Sequence, residues 1–110
     1  MKISTRRDGK TTIFDISGDV DMSNSPELRK ALLDEIRKAK TPRVVLNLTD
    51  VKYIDSSGVA SLVEGLKASR DMKSRLVIFG LSPSAREVLQ LSRLLKVFEV
   101  HDNEEQALAS

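Results

Sequence analysis

Residues 43–70 read RVVLNLTDVKYIDSSGVASLVEGLKASR, and this stretch predicts a buried strand, a polar turn and an amphipathic helix in that order. The strand is indicated by a short apolar run rich in β-branched residues, comprising Val44, Val45, Leu46 and Leu48. The helix is indicated by an apolar stripe with the i, i+3, i+4, i+7 spacing, at Val59, Leu62, Val63 and Leu66. Between them lies Asp55-Ser56-Ser57-Gly58, a polar turn at the start of the helix. We expect the rest of the chain to act as a scaffold that exposes this turn.

Before this stretch, the chain predicts a hairpin and a helix. Asp8-Gly9-Lys10 separates two β-prone segments, residues 2–7 and 11–16, which we expect to pair as antiparallel strands. Ser25-Pro26 then predicts a helix start, with the serine as cap and the proline in the first turn, where its missing N–H costs nothing.

After this stretch, strands and helices continue to alternate. A short apolar strand is predicted at residues 76–79, and Ser82-Pro83 repeats the predicted helix start. A last strand is predicted at residues 97–100, followed by a short terminal helix.

The resulting order, β-β-α-β-α-β-α-β-α, predicts an α/β fold. Alternating strands and helices call for parallel pairing through right-handed crossovers, so we expect a mixed, mostly parallel sheet with an N-terminal antiparallel hairpin and helices packed on it. If the order of strands in the sheet follows the chain, every crossover helix lies on one face; the sequence does not decide that order. At 110 residues, we expect residues 1–110 to form one domain.

Composition excludes several classes of protein. Eighteen basic against 16 acidic residues give a net charge of +2, too balanced and too scattered to indicate a nucleic-acid partner. Four aromatic residues offer no platform for stacking bases, and the absence of cysteine excludes disulfides and thiolate metal sites. No apolar run approaches the roughly 18 residues that span a bilayer. We therefore expect a cytoplasmic protein without direct membrane insertion.

The sequence does not favour an enzyme, a metal site or a cofactor. A serine nucleophile at Ser56 or Ser57 needs a nearby base, and the only histidine, His101, is predicted at the end of the last strand. Neither a Gly-x-Ser-x-Gly elbow nor a glycine-rich phosphate loop occurs. The aspartates near the turn lack the alternation of a calcium loop; they are Asp19, Asp21, Asp50 and Asp55.

Two interpretations of the turn at residues 55–58 remain open on these grounds. Asp and Ser accept hydrogen bonds from first-turn N–H groups, so the turn is explained as a helix cap alone. A binding surface is favoured because Gly58, Ala60 and Ser61 put no bulky side chain at the start of the helix. It is also favoured because loops after parallel strands carry the functional groups of open α/β sheets, and residues 19–23 follow a neighbouring strand.

The run VVLNLTDVKYIDSSGVASL, with Gly18-Asp19-Val20-Asp21 upstream, resembles the signature of STAS domains and specifically of bacterial anti-sigma factor antagonists. The order and spacing of the motifs match that family over nearly the whole chain. The resemblance implies a comparable mixed sheet with helices packed against it.

The resemblance also implies a mechanism. In that family the first serine after the aspartate, here Ser56, is phosphorylated by a partner that is both anti-sigma factor and ATP-dependent, GHKL-type serine kinase. A PP2C-type phosphatase is the implied second partner. The implied contact surface comprises Asp21, Met22, Ser23, Asp55, Ser57, Gly58 and Ser61, with Met22 and Ser23 where relatives often carry other polar residues.

A second hypothesis keeps the fold and changes the role. The chain is then a STAS subunit of another assembly, such as a lipid-transport complex or a stress-signalling scaffold, and Ser56 is only a cap and contact residue. A neighbouring gene for the kinase or phosphatase favours the first hypothesis, and neighbouring transporter genes favour the second.

Overall fold

The computed structural model describes residues 1–110, which form five strands and four helices. In chain order they are β1 Lys2–Asp8, β2 Thr11–Ser17, α1 Ser25–Leu33, β3 Arg43–Asp50, α2 Ser56–Asp71, β4 Arg75–Phe79, α3 Pro83–Leu91, β5 Glu99–His101 and α4 Glu104–Ala109. A π-helical turn, Asp34–Lys38, continues α1. None of the helices combines the length and the apolar character that crossing a membrane requires.

The strands form one sheet in the order β1-β2-β3-β4-β5, with β1 antiparallel to β2 and all other neighbours parallel. This arrangement confirms the predicted α/β fold with an N-terminal hairpin. Gly9 has φ +61° at the first central position of the hairpin turn, a conformation that favours glycine. Because the strand order follows the chain and crossovers are right-handed, α1, α2 and α3 share one face of the sheet.

Two apolar layers stabilise the sheet, one on each face. The larger, between the sheet and the three crossover helices, contains 19 buried residues, among them Leu28, Leu32, Leu62 and Leu89 from the helices. On the opposite face α4 covers a smaller cluster comprising Ile13, Val45, Val77, Phe79 and Ala107. Successive residues of β3 point to the two layers, and Val44, Val45, Leu46 and Leu48 are all fully buried. This confirms the prediction of a buried strand and shows that it is covered on both faces.

Two local predictions were wrong. The last strand is Glu99–His101 rather than residues 97–100, because Val97 and Phe98 donate hydrogen bonds to Leu94 O and still belong to the turn after α3. Ser25 does not cap α1 but is its first residue; its N–H donates to Asp21 O, so the chain begins to turn one residue earlier than predicted.

The parallel strands define two edges of the sheet. The carboxyl edge carries the loops that follow β2 and β3, and also the amino ends of α1, α2 and α3. The amino edge, at the opposite end of the strands, carries the carboxyl ends of those helices. The predicted site lies at the carboxyl edge, where Gly18 N donates to Asp50 O and so joins the ends of β2 and β3.

Candidate functional site

The two loops of the predicted site are joined by an isolated parallel β-bridge between Val20 and Ile54. Val20 N donates to Tyr53 O (3.0 Å), and Asp55 N donates to Val20 O (3.1 Å). The side chains of Val20 and Ile54 are each 1% exposed, so the bridge is anchored in the core. The loop after β2 is therefore held against the start of α2.

Gly58 lies directly beneath this bridge. A Cβ at Gly58 would approach Ile54 Cγ2 to 2.6 Å and Val20 Cγ1 to 2.9 Å, distances that packed atoms do not tolerate. The glycine is thus explained by the close approach of the two loops to the helix.

Asp55 performs two structural tasks with its two carboxylate oxygens. Oδ1 accepts a hydrogen bond from Gly58 N (3.0 Å), which caps α2. Oδ2 accepts one from Met22 N (3.1 Å), which fastens the preceding loop to the cap. Asp55 therefore fixes the position of Met22 relative to the start of α2.

Asp21 is organised within its own loop. Its Oδ1 accepts hydrogen bonds from the Ser23 hydroxyl (2.5 Å) and from Ser23 N (2.9 Å). These bonds, the hydroxyl first, lower the pKa of the Asp21 carboxyl below its usual range. Asp21 therefore presents a carboxylate at neutral pH, held by Ser23 rather than by Ser56.

Ser56 is the first residue of α2 and is exposed, while Ser57 is half-buried. The backbone N–H groups of Ser56 and Ser57 have no acceptor within the helix, as in the first turn of any α-helix. Met22, with 76% of its surface exposed, does not fold back onto α1 as a hydrophobic staple. An apolar side chain and a serine hydroxyl thus both face solvent at this edge.

Two residues that were predicted to contact a partner are buried in the unbound protein, and their role as contacts stays a prediction. Ser61 is 4% exposed, and its hydroxyl donates to Ser25 O (3.0 Å) and Ser57 O (3.2 Å). It therefore connects α2 to α1. Gly58 is buried under the Val20–Ile54 bridge.

The structure adds features that sequence reasoning missed. Tyr53 is 48% exposed in the same loop, between the buried residues Val51 and Ile54. A groove of about 410 Å³ separates the first turns of α1 and α2, beside Ser57. Arg29 and Glu64 face each other across it at 3.9 Å. The sequence offered one signal for Tyr53, which is an aromatic residue inside the motif itself. It offered none for the groove, because the groove depends on how α1 and α2 pack.

These residues form an exposed surface that we call the switch patch, defined by Asp21, Met22, Ser23, Tyr53, Ser56 and Ser57. It combines one carboxylate, the apolar side chain of Met22, the aromatic ring of Tyr53 and serine hydroxyls, and Asp55 accepts hydrogen bonds from Met22 N and Gly58 N beside it. A patch of this kind is suited to binding another protein, because apolar and aromatic side chains supply contact area and polar groups supply orientation.

Comparison of the sequence with known proteins identifies the family to which this chain is similar. The STAS domain model matches residues 2–107. The chain is 30% identical over 105 residues to the anti-sigma-B factor antagonist of Listeria monocytogenes, covering 94% of this chain and 90% of that protein. It is 26% identical over 96 residues to the anti-sigma F factor antagonist of Paenibacillus polymyxa, covering 87% and 82% respectively.

Solved structures show the same fold. An anti-sigma factor antagonist from Mycobacterium paratuberculosis superposes with a TM-score of 0.87 at 20% identity, covering 98% of this chain and 91% of that one. The phosphorylated form of SpoIIAA, a Bacillus cell fate determinant, superposes with a TM-score of 0.76 at 20% identity, covering 98% and 97%. At these identities the likeness concerns the fold alone.

Proposed function

Because the chain belongs to the STAS domain family, and within it to the anti-sigma factor antagonists, we propose that it sequesters an anti-sigma factor and is switched off by phosphorylation of Ser56. The proposed partner is an anti-sigma factor that is also a GHKL-type serine kinase. A PP2C-type phosphatase would reverse the modification, and the cycle would operate in the cytoplasm. The chain acts as a binding protein that regulates transcription, and its own residues carry out no catalysis.

The observation that carries the proposal is the exposure of Ser56 in the first turn of α2, beside Met22. A kinase must reach the hydroxyl that it modifies, and Ser56 is open to solvent while Ser61 is not. The carboxylate of Asp55 is already engaged by Gly58 N and Met22 N. Ser56 can therefore be phosphorylated without loss of the hydrogen bond from Gly58 N to Asp55 that caps α2.

A phosphate at this position would spare the fold and penalise the complex. It adds about −1.5 to −2 charges, which the amino end of α2 accommodates through its dipole and free N–H groups. A partner surface that fits a neutral hydroxyl must instead bury that charge, close to the carboxylates of Asp21 and Asp55. A hundredfold loss of affinity needs only about 2.7 kcal/mol, which desolvation and like-charge repulsion can supply.

The fold neighbour SpoIIAA supports a phosphorylation cycle, since it has been solved in both an unphosphorylated and a phosphorylated form. Its identity to this chain is 17–20%, so the assignment of the modified residue rests on the exposure and surroundings of Ser56 in this chain.

The test is phosphorylation of purified protein by GHKL-type serine kinases encoded in the same genome. Wild type, Ser56→Ala and Ser57→Ala are incubated with each kinase and ATP, and the modified residue is mapped by mass spectrometry. We expect Ser57→Ala to be labelled like wild type and Ser56→Ala to remain unlabelled. Full labelling of Ser56→Ala would refute the assignment of the modified residue. If wild type bound none of these anti-sigma factors, the proposed function would be refuted.

A further inference from the structure

The three crossover helices end in the same unusual way at the amino edge. The residue after each helix cap has a positive φ: Lys40 (54°), Lys73 (54°) and Arg93 (59°). No other residue except glycine has a positive φ in the chain. This left-handed position is the one that glycine most often occupies at a helix end, yet all three side chains here are basic.

The helix dipole does not account for this choice by itself. A cation near the carboxyl end of a helix is favourable, but it needs no left-handed backbone. The last turns before Lys40 and Lys73 already contain cations, Arg37 and Lys38 in the π-helical turn and Arg70 in α2. The extra cations at the strained positions therefore call for another explanation.

These cations are available to a ligand. Lys40, Lys73 and Arg93 are exposed and take part in none of the ion pairs of the structure. Lys40 and Lys73 border one shallow depression of about 160 Å³, and Arg93 and Lys96 border another of about 360 Å³. The acidic residues nearest in the chain to this edge are Asp71, Glu87 and Glu99, and Glu99 is paired with Arg75, so unpaired cations predominate.

Exposed apolar side chains accompany the cations. Only five large hydrophobic residues are exposed, and three of them belong to the amino edge: Leu91 (76%), Val97 (42%) and Met72 (38%). Leu91 and Val97 flank Arg93 and Lys96 in the chain, and Met72 lines the depression between Lys40 and Lys73. We call this surface the basic edge, defined by Lys40, Met72, Lys73, Leu91, Arg93, Lys96 and Val97.

We propose that the basic edge adsorbs the protein to the surface of an anionic lipid bilayer. Basic side chains would meet lipid phosphates, and Leu91 and Val97 would enter the headgroup region, the combination used by peripheral membrane proteins. Apolar side chains among the cations favour a bilayer over nucleic acid, whose backbone offers them no partner. The switch patch lies at the opposite edge of the sheet, so an adsorbed molecule keeps it free.

The left-handed positions allow a test that leaves the fold intact. In a Lys40→Gly, Lys73→Gly, Arg93→Gly variant, glycine is the residue that suits the backbone, so the melting temperature should stay equal or rise. A matched control, Lys2→Gln, Arg29→Gln, Lys52→Gln, removes three exposed cations that lie away from this edge. Both variants change the net charge equally.

The measurement is co-sedimentation with vesicles of phosphatidylcholine alone and of phosphatidylcholine mixed with phosphatidylglycerol in equal parts. We expect wild type and the control to bind the anionic vesicles only, and the glycine variant to bind more than about tenfold more weakly. Leu91→Ser should weaken binding without altering its dependence on salt.

Three results would overturn the proposal: no binding of wild type to anionic vesicles, equal loss in the control, or tighter binding to duplex DNA than to vesicles through the same cations. The last would identify a nucleic acid as the ligand. None of these outcomes depends on Ser56 or on an anti-sigma factor, so the proposed function is tested separately.

Discussion

Gly58 carries no side chain at a point where a Cβ would lie 2.6 Å from Ile54 Cγ2 and 2.9 Å from Val20 Cγ1. Both contacts are with branched side chains of a buried bridge, which cannot swing away. We predict that Gly58→Ala lowers the free energy of unfolding by about 1–3 kcal/mol, as overpacking does. Thermal melting of the purified variant measures this.

Gly65 provides the matched control, because it lies in the same helix and its nearest neighbour is Leu32 Cδ1 at 3.0 Å, the end of a flexible side chain. Gly65→Ala also gains helix propensity and should therefore melt close to wild type. If the two alanine variants were equally stable, the close approach at Gly58 would not explain the glycine.

The side chains of Asp21 and Met22 make no contact with a residue outside their own loop that the fold requires. The Asp21 carboxylate is held within its own loop, chiefly by Ser23, and the Met22 side chain is 76% exposed. We predict that Asp21→Ala and Met22→Ala each weaken anti-sigma factor binding by about five- to thirtyfold, the scale of residues near an interface centre. Titration calorimetry measures the affinity, and melting temperatures should change little.

Asp71→Ala and Met72→Ala serve as controls, since they make the same chemical changes at the opposite edge of the sheet. They should leave the affinity unchanged. Wild-type affinity in both Asp21→Ala and Met22→Ala would move the interface away from this loop.

The residue scale also shows where sequence reasoning fails. The motif predicted an exposed serine at the start of a helix, and Ser56 is exposed. It could not reveal that Ser61 and Gly58 point inward, because that depends on the approach of α1 and of the Val20–Ile54 bridge. Small residues beside a motif are equally compatible with an open surface and with close packing.

At the scale of elements, the site consists of two loops and a helix start that Asp55 fastens together. Asp55→Ala removes the cap on Gly58 N and the bond to Met22 N. We predict a loss of about 1 kcal/mol of stability, typical of a helix cap, together with weaker partner binding because Met22 is no longer held. Thermal melting and calorimetry on the same preparation separate the two effects.

Asn103→Ala is the matched variant, because Asn103 Oδ1 caps α4 through Gln106 N (2.9 Å) and lies beside the other face of the sheet. It should lose stability without losing affinity. Equal loss of affinity in both variants would mean that binding follows stability rather than the position of the loop.

The two serine–proline pairs show how far element boundaries can be predicted. Ser82 caps α3 as predicted, and its hydroxyl accepts from Ala85 N (3.1 Å). Ser25 has the same local sequence but lies inside α1, because Asp21 O accepts its N–H and starts the turn earlier. Alternating strands and helices were predictable from periodicity, whereas exact ends depend on such neighbouring loops.

At the scale of the whole molecule, the sheet separates two unlike edges. The carboxyl edge exposes Met22 and Tyr53 among carboxylates, and the amino edge exposes Leu91 and Val97 among cations. The sequence predicted the layers but not the strand order, because any order of parallel strands satisfies the same periodicity. The observed order places all crossover helices on one face, which aligns their amino ends with the switch patch and their carboxyl ends with the basic edge.

The central claim is that the anti-sigma factor binds a neutral Ser56 and rejects a phosphorylated one. The direct measurement is titration calorimetry of the anti-sigma factor with unmodified protein and with protein carrying phosphoserine at Ser56. Phosphoserine at Ser92, exposed at the opposite edge, is the charge-matched control. We predict an affinity lower by about a hundredfold, or about 2.7 kcal/mol, for modified Ser56 and an unchanged affinity for modified Ser92. Equal affinity for the unmodified and Ser56-phosphorylated proteins would contradict the claim.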